Sequence, residues 1–296
     1  MRVRLMILLA GAGIVVAVSA GCGGSGSTSS SSTTSAVSTP TPTQKAVATV
    51  PSSELVASGH LYICSDVPSP PQEFYDANGN LVGSDIETGI EIAARLGLKV
   101  QWVNSVFDTI IAAVNAGKCD IVISGQNITP DRQKQVHMVP YFKAGQTFVV
   151  KKGNPDKVSS DPMSLCGKKL AVQLGATEQQ TAEAFSKKCT GAGKAAIAVI
   201  VAQKSSDALQ QVQTGHAVGF FQDSPIVAYY VKSQPAVFEA AGGVIAPIDE
   251  GISIPKDKTG LIAGVVKALT SMQADGTYTT ILKKWGENNF KVPQPS

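Results

Sequence analysis

A cationic side chain falls at the predicted start of a helix in this chain of 296 residues. Thr129-Pro130-Asp131 has the chemistry of a helix start, with Thr129 as the cap and Pro130 at the first helical position. Arg132 then lies in the first turn, where a cation is disfavoured unless an anion is near. Its guanidinium is planar, permanently charged and shaped for two parallel bonds to a carboxylate. The position of Arg132 therefore predicts a nearby anion, and the alternative is a surface arginine in the first turn of a helix.

The residues just before this helix supply further hydrogen-bond donors. Ser124, Gly125 and Asn127 lie between a predicted buried strand, residues 121–123, and the helix that begins after Thr129. Exposed backbone N–H groups at such a junction can bind the same anion that Arg132 would meet. An anion site is therefore expected at the end of this strand.

The elements that position these groups alternate along the chain. The predicted strands cover residues 61–64, 99–103, 121–123, 147–151, 169–172, 196–201 and 217–221. The predicted helices cover residues 86–96, 107–116, 178–188, 206–214, 261–272 and 277–285, besides the one that begins at Pro130. Such alternation predicts an α/β fold with predominantly parallel sheets covered on both faces. Two α/β sets and a returning C-terminal segment indicate two lobes crossed twice by the chain, with ligands expected at the carboxyl ends of strands.

The N-terminus has the pattern of an export signal. A basic segment, an apolar run over residues 5–18 and the small residues 19–21 precede Cys22. The apolar run is shorter than the roughly 20 residues that a membrane span requires. The small residues ending on Cys22 resemble the bacterial lipobox, in which that cysteine is lipidated. Ser19 stands where the lipobox usually has leucine, so simple secretion remains the alternative.

The domain boundaries follow from composition. Residues 23–52 are mostly Ser, Thr, Gly, Pro and Ala, and such a segment cannot bury enough surface to offset its ordering entropy. We expect a signal peptide over residues 1–21 and a lipidated cysteine with a flexible tether over 22–53. We expect lobe 1 over 54–144 plus 248–296 and lobe 2 over 145–247.

The charge balance excludes one class of partner. The chain has 25 Lys plus Arg against 22 Asp plus Glu, and the domain after the signal is nearly neutral. No basic block or stripe is present in the sequence, which argues against nucleic acid. After the signal, no second apolar run is long enough to span a membrane.

The four cysteines after Cys22 are an even number in an exported chain, which favours disulfides over catalysis or metal binding. Cys166 and Cys189 flank one βα-like unit, so we expect them to be bridged. Cys64 and Cys119 fall in or just before predicted strands, and a bridge and two buried free thiols both remain open for them. The three histidines are scattered without zinc-ligand spacing, so no metal site is expected.

Three ordered stretches carry a family resemblance. They are Asn78-Gly-Asn-Leu-Val-Gly-Ser-Asp85 with Ile92-Ala-Ala-Arg-Leu-Gly97; Ala116-Gly-Lys-Cys-Asp120 with Ser124-Gly-Gln-Asn-Ile-Thr-Pro-Asp-Arg132 and Pro140-Tyr141; and Asp275-Gly-Thr-Tyr278 with Ile281-Leu-Lys-Lys-Trp-Gly286. Over residues 54–290 the chain resembles family 3 bacterial solute-binding proteins, the polar amino-acid receptors of ABC importers. The resemblance implies a periplasmic-binding-protein-like fold of type II, with two α/β lobes joined by a two-strand hinge.

The resemblance also implies how an amino acid is held. Arg132 matches the arginine that meets the α-carboxylate, and Gly175 and Thr177 match the segment facing it across the cleft. Asp223 matches the aspartate that meets the α-ammonium, through a charge-assisted bond. An aspartate that simply opens a turn before Pro225 is the alternative.

Side-chain selectivity is expected from a further group of positions. They are Asp66, Ser69, Phe107, Gln173 and Gln222. Phe107 matches an aromatic wall, whereas Ser69 and Gln72 stand where the family often has aromatic residues. Asp66 and the two glutamines match positions that read polar ligand side chains. The set implies a polar ligand, either a basic or an amide amino acid.

Other functions are possible on the same fold. A lyase or dehydratase would need a cleft acid or base, for which Glu73 or Asp66 could be nominated, but a lone carboxylate near a ligand is usually a binding group. A small-molecule sensor would need a separate signalling partner. The resemblance favours a monomeric binding protein rather than an enzyme, with no cofactor, which is anchored outside the cytoplasm by its lipid and delivers an amino acid to an ABC permease.

Overall fold

The computed structural model describes residues 45–292. The expected signal peptide, Cys22 and most of the expected tether lie outside the described residues. At the end of the tether, the N–H groups of Val47 and Ala48 donate to the Arg95 carbonyl at 2.7 and 3.3 Å. Ala48 and Val50 pack against the hydrophobic core. The packed domain therefore begins before residue 53, because these apolar side chains reach a hydrophobic surface.

Eight strands form one sheet and two short strands form a hairpin. In chain order the strands are β1 (His60–Ser65), β2 (Phe74–Tyr75), β3 (Leu81–Val82), β4 (Lys99–Asn104), β5 (Ile121–Val122), β6 (His137–Lys151), β7 (Lys169–Gln173), β8 (Ala198–Ala202), β9 (Gly219–Asp223) and β10 (Phe238–Ile254). The order in the large sheet is β4-β1-β5-β10-β6-β9-β7-β8, and β2 pairs with β3.

Eight α-helices connect and cover the described strands. They are α1 (Ser84–Arg95), α2 (Ile110–Asn115), α3 (Pro130–Gln135), α4 (Thr177–Gly191), α5 (Ser205–Gln213), α6 (Ser224–Ser233), α7 (Thr259–Ala274) and α8 (Thr277–Trp285). The expected cap of α3 is present, because the Thr129 side chain accepts from the Arg132 N–H at 3.2 Å. Among the described helices, none has the length and apolar composition that crossing a membrane requires.

The hydrophobic core is divided into two sets of clusters. One set lies in what we call the β1 half, made of β1–β5, α1–α3, α7 and α8. The other lies in the β7 half, made of β7–β9 and α4–α6. The long strands β6 and β10 contribute to both: Phe142 of β6 packs in the β1 half, and Phe148 of the same strand packs in the β7 half. Two strands therefore run from one core to the other.

The pairing is partly parallel and partly antiparallel. β1 pairs in parallel with β4 and β5, and β7 pairs in parallel with β8 and β9. β6 and β10 pair antiparallel along their lengths, with register shifts between Ala241 and Ile248 and at Gly251. The expected parallel sheets are thus present within each half. The sequence patterns missed β10, and they missed α6, whose first turn holds Pro225.

Each half contains one disulfide. Cys64 is bonded to Cys119 in the β1 half, and Cys166 is bonded to Cys189 in the β7 half. The expected local bridge is therefore present, and the open question for Cys64 and Cys119 is resolved as a bridge. Within residues 45–292 no disulfide joins the two halves, so these bonds do not restrain one half against the other.

Candidate functional site

A small cavity lies between the two halves, at the carboxyl ends of the parallel strands. Its wall is formed by Ser69, Gln72, Glu73, Phe107, Ser124, Gly125, Asn127, Arg132, Gln173, Ala176, Thr177, Glu178, Gln222, Asp223 and Ile226. The free space is about 20 Å³, which is close to the volume needed for one water molecule. An amino-acid-sized molecule therefore enters only if the halves separate or the wall rearranges.

Most of the side chains expected at a ligand site do line this cavity. The expected residues found in the wall are Ser69, Phe107, Ser124, Asn127, Arg132, Gln173, Thr177, Gln222 and Asp223, together with Gly125. Asp66 and Gly175 are outside the wall. Gly175 lines an adjoining outer groove, which shares Arg132 and Phe107 with the cavity.

The loop after β1 is held in place by the start of α1. The first N–H groups of this helix, from Ser84 and Asp85, donate to the carbonyls of Pro71 and Gln72 at 3.1 and 3.0 Å. Gly83 has φ +140°, and a Cβ there would lie 1.9 Å from the Gln72 carbonyl oxygen. Only glycine allows the helix start to approach so closely. This contact fixes Gln72 and its neighbour Glu73 in the cavity wall.

Arg132 bridges the two halves within the protein. Its Nη1 donates to the Asn127 carbonyl at 2.8 Å, and its Nη2 donates to the Gly175 carbonyl of the β7 half at 3.1 Å. The guanidinium carbon lies 5.3 Å from the centre of the Phe107 ring, a cation–π distance. Burial lowers the pKa of the guanidinium, and the nearby carboxylates of Glu178 and Asp223 oppose that effect. The arginine keeps its charge, and both of these bonds end on carbonyl oxygens.

Asp66 takes a different role from the expected one. It lies outside the cavity wall, and its Oδ2 accepts from Gln173 Nε2 at 2.5 Å, across the cleft. Next to it, Lys204 Nζ donates to the Val67 carbonyl at 2.9 Å. Burial raises the pKa of Asp66 to about 6. Asp66 therefore joins the halves instead of facing the cavity.

The donors expected at Ser124 and Gly125 are already engaged inside the β1 half. The Ser124 hydroxyl donates to Glu73 Oε1 at 2.7 Å. The Gly125 N–H lies 3.1 Å from Asp85 Oδ2 and donates to it. Both residues therefore hold buried carboxylates in place. They could donate to a ligand anion only after these hydrogen bonds had broken or rearranged.

Asp223 and Asn127 meet in the wall from opposite halves. Asn127 Nδ2 donates to Thr177 Oγ1 at 2.8 Å and to Asp223 Oδ2 at 3.3 Å. Gln222 is less free, because its Oε1 accepts from the Asp223 N–H and its Nε2 donates to Ser205. Arg132 and Asp223, expected on opposite lobes, thus lie in one wall and are bridged by Asn127.

Three buried carboxyl groups in the wall have an oxygen that receives no hydrogen bond from a donor among residues 45–292. These oxygens are Glu73 Oε2, Glu178 Oε1 and Asp223 Oδ1. Burial raises the pKa of Glu73 and Asp223 well above the usual range, and neighbouring carboxyls raise them further, Asp85 for Glu73 and Glu178 for Asp223. Burial also raises the pKa of Glu178, whose carboxyl is within hydrogen-bonding distance of the Asp223 carboxyl. Unpartnered buried acceptors carry a large desolvation cost, so the cavity is suited to a ligand rich in donors.

Sequence reasoning missed two of these three carboxyls as ligand-site residues. The sequence suggests Glu73 only as the acid or base that an enzyme on this fold would need. Glu178 is in the first turn of α4, where an acidic residue is common because it interacts favourably with the helix dipole. No sequence signal separates that role from a binding role. Among residues 45–292 no group of three or more His, Cys, Asp or Glu side chains is arranged to hold a metal ion.

Comparison with known proteins places this geometry in a family. Residues 61–288 match the model of the bacterial extracellular solute-binding proteins, family 3. The lysine/arginine/ornithine-binding periplasmic protein of Escherichia coli (strain K12) is 29% identical over 82% of this chain and 94% of its own length. The ABC transporter arginine-binding protein 1 of the same organism is 27% identical over 73% of this chain and 86% of its own length.

Solved structures share the fold. An ancestral arginine-binding protein bound to arginine is 39% identical, with a TM-score of 0.70 over 77% of this chain and 98% of its own. The expected fold class, two α/β lobes of the type II periplasmic-binding arrangement, is thereby confirmed.

Proposed function

This chain belongs to the bacterial extracellular solute-binding proteins, family 3, and we propose that it binds a cationic amino acid between its two halves for an ABC importer. The observation that carries the proposal is the charge of the cavity wall. Glu73, Glu178 and Asp223 are buried there with unpartnered oxygens, and Arg132 is the cation beside them. An amino acid with a neutral side chain is a zwitterion and adds no net charge to these four residues. An amino acid with a basic side chain adds one positive charge, which the three carboxyls can bind. The names of the E. coli relatives, which mention lysine, arginine and ornithine, support the same class.

The wall assigns each end of such a ligand to one partner. The α-carboxylate would bind Arg132, whose Nη2 is released from the Gly175 carbonyl when the halves part. The α-ammonium would bind Asp223 in the β7 half, and the cationic side chain would reach Glu73 in the β1 half. Each contact is a charge-assisted bond in a dry site, where such bonds are strong.

Closure follows from this division of contacts. We assign lobe 1 to residues 54–144 plus 248–296 and lobe 2 to 145–247, and the two cores joined by β6 and β10 support that assignment. A ligand held by one lobe in the open form gains the second set of contacts only in the closed form. It therefore shifts the population toward closure by its differential affinity. The permease would recognise the closed shape.

Binding without turnover is the activity that we propose. The relatives named above are binding proteins, and the buried carboxyls of the wall are each explained as ligand or structural groups. An enzyme on this scaffold would consume its ligand. Recovery of unchanged amino acid after incubation, measured by mass spectrometry, distinguishes the two, and a new product would contradict the binding proposal.

We place the protein outside the cytoplasm, held to the membrane by a lipid on Cys22, as a monomer. The motivation is the sequence pattern of residues 1–22, which lies outside the described part of the structure. Cys22→Ala should appear in the medium or remain unprocessed in cell fractionation. Normal processing with membrane retention of this variant would show that the lipid anchor is wrong.

A thermal-shift screen against the twenty common amino acids tests the proposed function. A ligand that binds only the folded protein raises the melting temperature. L-Arginine or L-lysine should give the largest shift. A shift that is confined to acidic or apolar amino acids would contradict the assignment of a cationic ligand.

A further inference from the structure

Glu250 is a fully buried carboxyl behind the cavity wall. It lies on β10, one of the two strands that run between the halves, and is 0% exposed. Its Oε2 accepts from Gln72 Nε2 at 2.7 Å, and its Oε1 has no partner among residues 45–292. Glu250 is outside the cavity wall, and its one side-chain hydrogen bond among residues 45–292 is to Gln72, which lines that wall.

Gln72 is the wall residue that Glu250 holds. Its backbone is fixed by Gly83 and by the start of α1, and its side chain lies against Gly125. A Cβ placed on Gly125 would lie 3.0 Å from Gln72 Oε1 and 3.3 Å from its Nε2. With the amide nitrogen tied to Glu250, the carbonyl oxygen is the end of the amide that remains free for a ligand in the wall.

The neighbouring residue presents a second acceptor. Glu73 uses Oε1 to accept from Ser124, its Oε2 receives no hydrogen bond from a donor among residues 45–292, and its carboxyl lies beside that of Asp85. Two consecutive residues therefore offer a carbonyl oxygen and a carboxylate oxygen in one wall. A guanidinium has five N–H donors in a rigid fork, whereas an ammonium has three donors on a single atom. Two separate acceptors match the fork better.

We propose that Glu250 is a positioning residue that orients the Gln72 amide with its oxygen toward the cavity, and that this pair selects a guanidinium over an ammonium. This inference rests on the proposed function, because it concerns the side-chain end of the same ligand. It attributes the preference for arginine over lysine to Glu250, a residue that lies behind the cavity wall.

The experiment measures calorimetric dissociation constants for L-arginine and L-lysine with purified protein. Wild type should prefer arginine. Glu250→Leu should weaken arginine binding about tenfold, the value of one hydrogen bond to a charged group, with a smaller change for lysine. Glu250→Gln should restore the preference, because its amide oxygen can still accept from Gln72. Gln72→Leu should reproduce Glu250→Leu, and the double variant should be no weaker than Gln72→Leu alone.

Asp120→Leu is the matched control, since Asp120 is another buried carboxyl of the β1 half, 3% exposed, and its carboxylate accepts from the N–H groups of Val56 and Tyr62. It should keep the arginine-to-lysine ratio, and circular dichroism checks the fold of each variant.

An unchanged ratio in Glu250→Leu and Gln72→Leu overturns this inference alone. A Glu250→Gln variant as weak as Glu250→Leu also overturns it, since the effect would then come from charge and not from position. Wild-type protein that binds neither amino acid overturns the proposed function and this inference together.

Discussion

Both terminal nitrogens of the Arg132 guanidinium are hydrogen-bonded within the protein. Two carbonyl oxygens, from Asn127 and from Gly175 across the cleft, accept its N–H groups. A carboxylate is a stronger acceptor for a guanidinium than a carbonyl, because the bond joins two opposite charges. A ligand carboxylate can therefore replace the Gly175 carbonyl with a gain in free energy.

Removal of either charged end group should weaken binding without loss of the fold. Arg132→Ala and Asp223→Ala each leave one end of the amino acid unpaired in a dry site, so we expect a loss of at least about 30-fold in affinity for L-arginine. Calorimetry measures the loss, and circular dichroism controls for folding. Lys134→Ala is the matched control, since Lys134 is on the same helix with an exposed side chain. Near-wild-type affinity in both folded variants would contradict the assigned contacts.

Binding should also depend on pH in a definite direction. The raised pKa values of Glu73 and Asp223 mean that the empty site holds protons at a pH where a free carboxyl is ionised. A cationic ligand favours the ionised carboxyls, so binding releases protons and affinity rises with pH. Calorimetry at pH 6 in two buffers of different ionisation enthalpy counts these protons. Glu73→Gln should release fewer. Proton uptake, or affinity that falls as pH rises, would contradict this account.

At the residue scale, the presence of Arg132 and Asp223 in one cavity wall was predictable, and the arrangement of the neighbouring carboxyls was not. Asp223 ends β9 and Arg132 follows β5, and in an α/β fold such residues meet at one edge. Asp66 also follows a strand end, yet its carboxylate bonds to Gln173. The sequence does not encode which side of a loop a carboxylate faces. That choice depends on the other half of the protein.

At the scale of elements, the loops after β1, β4 and β8 and the end of β7 form a set of bonds that we call the latch. It consists of Asp66 with Gln173, Val67 with Lys204, and Asp108 with Gln203, the last at 3.1 Å. All three pairs join the two halves outside the cavity wall or at its margin. The latch stabilises the closed form whichever ligand is inside, because none of its bonds ends on a ligand.

Loss of part of the latch should therefore lower affinity equally for every ligand. Lys204→Ala removes one charge-assisted bond from the closed form, and we expect arginine and lysine to bind about three- to tenfold more weakly, with an unchanged ratio. Small-angle X-ray scattering of the ligand-free variant should show a larger radius of gyration. Lys187→Ala, an exposed lysine on α4, is the control. The role of the latch would be contradicted if the arginine-to-lysine affinity ratio changed. It would also be contradicted if neither the affinities nor the radius of gyration changed.

The elements themselves were predictable where the hydrophobic period was regular. The helix from Thr277 to Trp285 and the parallel strands of each half match the pattern in the sequence. β10 was not predicted because Gly242, Gly243 and Pro247 are typical of loops. In the structure the strand continues through these residues, and its pairing with β6 is irregular there. Long-range pairing outweighed local preference there.

At the scale of the whole molecule, each half is cross-linked by its own disulfide. The Cys64–Cys119 bond lies within the β1 half and the Cys166–Cys189 bond lies within the β7 half, and two strands connect the cores. This arrangement allows the halves to move while each half keeps its shape. It agrees with a site whose closed cavity of about 20 Å³ must open to admit an amino acid.

Calorimetric titration of the wild-type protein at neutral pH tests the central claim most directly. L-Arginine, L-lysine and the neutral L-glutamine are compared, since glutamine offers the same α-groups without the side-chain charge. The acidic wall predicts saturable one-to-one binding, with the tighter of the two cationic amino acids bound at least about tenfold more strongly than glutamine. Absence of saturable binding by both cationic amino acids, or tighter binding of glutamine, would contradict the account.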